Sequence, residues 1–139
     1  MQSRDLASPG ARRGWKAMTL LSRSLLLTAI VSIGYLATTS RHIPVVEDVN
    51  DKINHCAAFF TLALLLDFSF PATRYGLSKA LPLLGYGLSI EVVQYFLPYR
   101  SCSFFDLSAD AAGLFLYWIM IPVFKRLPFL QERWNVNKD

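Results

Sequence analysis

Four apolar blocks, over residues 18–39, 53–70, 80–97 and 106–124, leave little choice of fold for a chain of 139 residues. Each approaches the ~20 residues that carry an α-helix across a bilayer core. A soluble helical bundle needs helices with one broad polar face, and stretches such as SLLLTAIVSIGYLA and LFLYWIMIPVF have none. The content of 53% hydrophobic against 17% charged residues agrees. The expected fold is therefore all-α: a polytopic membrane protein built as a compact bundle of four transmembrane helices. The second and fourth blocks carry polar residues at their ends, which calls for tilt or a locally thin membrane. The first block has the outline of a signal peptide, but its leader is long and YLATTSRH is a poor small-x-small cleavage site. An uncleaved signal anchor is the expectation.

Lys and Arg set the orientation. Arg4, Arg12, Arg13 and Lys16 precede the first block, Arg74 and Lys79 lie between the second and third, and Lys125, Arg126, Arg133 and Lys138 follow the fourth. The other two connections hold only Arg41, Lys52 and Arg100. The basic side is the cytoplasmic side, so both termini are expected inside the bacterial inner (plasma) membrane. The division is a basic leader over 1–17, a membrane domain over 18–124 and a cytoplasmic tail over 125–139. The net charge of +4 follows from this topology and calls for no nucleic-acid partner. No repeat, zinc-type Cys/His spacing or glycine-rich phosphate loop appears, so neither a metal site nor a cofactor is expected.

Polar groups inside apolar blocks are costly and mark function by default. With the predicted topology, three groups converge on the outer face: Asp51, Lys52 and His55; Glu91, Gln94 and Arg100; Ser103, Asp106 and Asp110. Asp51 and His55, Glu91 and Gln94, and Asp106 and Asp110 are spaced three or four residues apart, one stripe per helix. Glu91 lies seven residues before Pro98, roughly 10 Å below the helix end at 1.5 Å per residue. These nine residues are the expected binding set, with Glu91, Asp106, His55 and Asp110 the catalytic candidates. Structural roles compete for several. Ser103 with Asp106 fits a helix N-terminus, His55 at a helix mouth can snorkel, and Gln94 can join helices. Gly85, Gly87, Ser89, Ala109, Ala112 and Gly113 are expected to let helices three and four approach closely. Arg23 and Asp67, lone charges near the cytoplasmic helix ends, are paired in this reading. Cys56 and Cys102 both fall on the outer side, where a disulfide and two free thiols are the alternatives.

The order DKINHCAAFF, then GLSIEVVQYFLPYRSCSFFDLSADAAG, resembles the VanZ-like membrane proteins. Their pattern runs Asp-Lys-x-x-His, then Glu-x-x-Gln-x-x-x-Pro-x-Arg, then Ser-x-x-Asp-x-x-x-Asn-x-x-Gly. Asp51, Lys52, His55, Glu91, Gln94, Pro98, Arg100, Ser103, Asp106 and Gly113 match it position by position, within about residues 51–120. Asp110 departs, standing where the pattern more often has Asn. The resemblance implies a small bacterial envelope protein, from a family whose namesake is associated with resistance to teicoplanin. Three functional classes follow. A cell-envelope protein would bind or modify an envelope lipid, cell-wall precursor or glycopeptide in its outer cleft. An enzyme would use carboxylate and histidine acid–base chemistry on a lipid-linked substrate. A small transporter is disfavoured, because the polar residues crowd one face instead of lining a path.

Overall fold

A computed structural model describes residues 9–39, 48–99, 103–128, 130 and 132–135. The fold is all-α. Four long helices, α1 (Pro9–Thr38), α2 (Asp48–Ser69), α3 (Leu77–Tyr95) and α4 (Phe104–Phe124), precede a single turn, α5 (Glu132–Asn135). Their ends follow local chemistry more closely than hydropathy. Pro9 opens α1 at the position where a missing N–H costs nothing. Phe70 and Leu97 each precede a proline, which disfavours helical backbone, and α2 and α3 stop just before them. Ser103 caps α4, its hydroxyl accepting the Phe105 N–H at 3.2 Å. Helix α2 begins at Asp48, ahead of the apolar block, so Asp51 and Lys52 already ride on the helix.

Consecutive helices run antiparallel. Close contacts join the C-terminal ends of α1 and α3, as in Gln94 to Ala37, and bring the N-terminal halves of α2 and α4 together, as in His55 to Asp110. Leu26, Phe59, Leu62, Ala63, Leu83, Leu114 and Tyr117 form the core. Helix α2 is central, packed on α1, α3 and α4. Two glycines allow the closest approaches: a Cβ on Gly113 would strike the Cys56 carbonyl of α2, and one on Gly87 would lie 2.5 Å from Asp110 Oδ2 and 3.0 Å from the Phe59 ring. The expectation that the small residues serve α3 against α4 needs correcting at two positions. Gly113 faces α2, and Gly85 faces open space.

Side chains are distributed inside out. Leu27, Val31, Phe96 and Phe104 are 65–88% exposed, while Asp67, Lys79, Glu91, Asp106, Asp110 and Arg133 are buried. Water would reward the opposite arrangement, and lipid rewards this one. Among the described residues, two helices, Gly14–Thr38 and Phe104–Phe124, are long and apolar enough to cross a membrane.

The end of the bundle opposite His55 is locked by ions. Asp67 accepts Lys79 Nζ at 2.7 Å and Arg133 Nη2 at 2.5 Å on one oxygen, and the Tyr117 hydroxyl at 2.8 Å on the other. Lys79 also donates to the Phe70 and Thr73 carbonyls, and Arg133 to those of Asp67, Pro71 and Thr73. Two cations thus satisfy the free carbonyls where α2 ends, at the negative end of its dipole. The expected Arg23–Asp67 pair is not made. Arg23 projects from an exposed position, donates to the Ser69 carbonyl at 3.1 Å and lies over the Phe70 ring. Asp67 points inward, where Lys79 and Arg133 are the cations that reach it among the described residues.

Candidate functional site

At the other end, two helix N-termini deliver acids into one place. Asp51 lies in the first turns of α2 and Asp106 in the first turn of α4, positions the helix dipole favours for carboxylates. Asp110 follows one turn deeper on the same face of α4. Its Oδ1 is 2.8 Å from His55 Nδ1, with Asp110 only 1% exposed. From α3, Glu91 Oε2 accepts the Ser103 N–H at 3.0 Å, binding α3 to the start of α4. Gly87, one turn before Glu91, provides the space that brings this face of α3 against Asp110. Glu91 is buried, and its Oε1 has no hydrogen-bond partner among the described residues.

Depth grades from rim to base. Asp51 is exposed, Lys52 and His55 are half-buried, and Glu91, Asp106 and Asp110 are buried. The charges of His55, Asp51, Glu91 and Lys52 all act on Asp106, so these residues form one electrostatic unit. Among the described residues, four carboxylates face one imidazole and one ammonium. The Asp110–His55 hydrogen bond fixes the imidazole, leaving Nε2 as its second functional nitrogen, suited to proton transfer or to ligand binding. Ligand atoms of Asp51, His55 and Asp106 lie within 4.8 Å of one another.

The sequence-derived set thus divides. Asp51, Lys52, His55, Glu91, Ser103, Asp106 and Asp110 are brought together. Gln94 is not in the cluster's hydrogen bonding; its Nε2 donates to the Ala37 carbonyl at 3.0 Å, so it joins α3 to α1. Arg100 and Cys102 lie outside the described residues, and Cys56 is a free thiol. Sequence reasoning passed over the roles of Lys79 and Arg133, counting both only as orientation signals. The clue was Asp67, an acid deep in an apolar block with several basic residues available at its own end. An open cavity of about 470 Å³ also lies at that end, between Thr19, Arg23, Phe70, Thr73, Ser78 and Pro82, away from the carboxylates.

The arrangement of acids and histidine on α2, α3 and α4 is the one that a comparison with known families can decide. The family model VanZ/LLP1 matches residues 8–125. The chain belongs to the VanZ/LLP1 family. The matched segment contains every member of the carboxylate cluster and the Asp67–Lys79 pair, whereas Arg133 lies beyond it. No curated protein and no solved structure matches the chain. It is a membrane protein, by its family and by its two apolar helices.

Proposed function

We propose that this VanZ/LLP1 protein crosses the bacterial inner membrane four times with both termini in the cytoplasm, and that its carboxylate end opens outward to hold an envelope ligand. In this reading residues 18–124 form the membrane domain, flanked by a cytoplasmic leader and tail. The ligand is an envelope lipid, a lipid-linked cell-wall precursor or a glycopeptide, and a contribution to teicoplanin tolerance follows from the last two. One observation carries the proposal: Glu91, Asp106, Asp110 and His55 converge at one end of a bundle whose other end is closed by ions, and a buried Glu91 oxygen has no hydrogen-bond partner among the described residues. A buried polar atom of that kind costs about 1–3 kcal/mol, which a ligand donor would recover. Carboxylates accept hydrogen bonds from sugar hydroxyls, amides and ammonium groups, the polar groups of such ligands.

The enzyme reading rests on the Asp110–His55 pair, an oriented imidazole beside further carboxylates. One experiment separates the two. The full chain, purified in detergent, is incubated with lipid-linked cell-wall precursors and with teicoplanin, following both binding and product formation. Saturable binding without turnover, lost in Glu91→Gln, is the expected result. Turnover that depends on His55 would move the assignment to an enzyme, and the absence of both would overturn the proposal.

A further inference from the structure

We propose that Asp51, His55 and Asp106 form a binding site for a divalent transition-metal ion. Their ligand atoms lie within 4.8 Å of one another. Around a tetrahedral ion such atoms sit about 3.4 Å apart, so closure requires side-chain movements on the order of 1 Å. The donor set, two carboxylates and one imidazole, suits Zn²⁺ or Mn²⁺ and leaves coordination positions open.

Three features beyond proximity point to an ion. The imidazole is already held by a buried carboxylate, with His55 Nδ1 2.8 Å from Asp110 Oδ1. Histidine ligands of metal ions are commonly oriented by this second interaction, which fixes the tautomer and directs the other nitrogen to the metal. Glu91, 4% exposed and acting electrostatically on both Asp106 and Asp110, has no hydrogen-bond partner for Oε1 among the described residues. A water on the ion supplies the missing donor. Finally, Asp51, Asp106 and Asp110 act on His55 and Glu91 acts on Asp106 and Asp110, so four carboxylates gather at one imidazole, with Lys52 the one ammonium acting on Asp106 among the described residues. A dication offsets the excess negative charge.

Such an ion changes what the outer end can hold. Without it, four carboxylates repel a phosphate. With it, the open coordination positions take phosphate oxygens, the chemistry of a phospholipid or polyprenyl-phosphate headgroup. The metal site stands on the geometry of the cluster, so it can be tested without any lipid.

The test uses the full chain in detergent, stripped with a chelator and titrated with ZnCl₂ or MnCl₂ alone while heat and thermal unfolding are followed. One ion per chain is expected, with a rise in unfolding temperature on binding. Affinity should fall about tenfold or more in Asp106→Asn and His55→Gln, and by a smaller factor in Glu91→Gln. Asp51→Asn, at an exposed position, keeps the test decisive if the buried variants fail to fold. No saturable binding by the parent chain, or an unchanged affinity in Asp51→Asn together with whichever of the buried variants fold, overturns the site. Metal binding with no lipid or glycopeptide binding would uphold the site and remove the ligand reading.

Discussion

Asp67 has the most demanding environment in the molecule. Its carboxylate is fully buried and is shared between Lys79 and Arg133, with the Tyr117 hydroxyl on the second oxygen. Breaking a buried ion pair by removing one partner costs about 3–5 kcal/mol, because the remaining charge is stranded. Asp67→Asn should therefore lower the unfolding temperature in detergent sharply, while Arg23→Ala, at an exposed position, should change it little. Equal melting of the two variants would contradict the assignment. The sequence made the need for a partner legible, since an acid in an apolar run cannot stay alone. It did not make the partner legible, because Arg23, Lys79 and Arg133 all fall at the same end and no spacing reveals which way each helix is turned. The residues of the carboxylate end were easier. Asp51, His55, Asp106 and Asp110 lie on single faces by their i, i+4 spacing, and antiparallel helices then have to bring those faces to one end. Gln94 shares its face with Glu91 yet bonds α1, since residues three apart differ enough in direction to meet different neighbours.

At the scale of elements, the glycines decide which helices touch. Gly113 lies under the Cys56 carbonyl of α2, a backbone atom that cannot rotate away. Gly113→Ala should force α2 and α4 apart and destabilise by about 1–3 kcal/mol, the usual cost of overpacking. Gly85→Ala meets no atom within 4 Å and should be neutral or stabilising, by up to about 1 kcal/mol, since alanine favours the helix interior. Thermal unfolding of the two variants side by side checks this, and a stable Gly113→Ala protein would argue against the close α2–α4 packing. The existence of four helices was legible from the apolar blocks; their starts were not. Helix α1 begins at Pro9 and α2 at Asp48, both before hydrophobicity rises, because a helix propagates through polar residues once it has nucleated and stops at a cap or a proline. The turn α5 escaped notice for a related reason. It has no apolar stripe, and its Arg133 is held by carbonyls and a carboxylate that only the folded bundle assembles.

The whole molecule has two unlike ends: one closed by cations on a carboxylate, the other gathering carboxylates around a histidine, with exposed apolar side chains between. The proposed orientation assigns the carboxylate end to the outside, following the Lys and Arg bias of the connections. The envelope ligand proposed for that end depends on which compartment it meets. The direct measurement is labelling of single cysteines in intact cells with a membrane-impermeant maleimide, in a background carrying Cys56→Ser and Cys102→Ser. One probe is placed at Asp51→Cys and the other at Arg74→Cys, exposed positions at opposite ends of the bundle. The account predicts that Asp51→Cys reacts in intact cells and Arg74→Cys only after the membrane is opened; reaction of Arg74→Cys in intact cells, with Asp51→Cys protected, would contradict it.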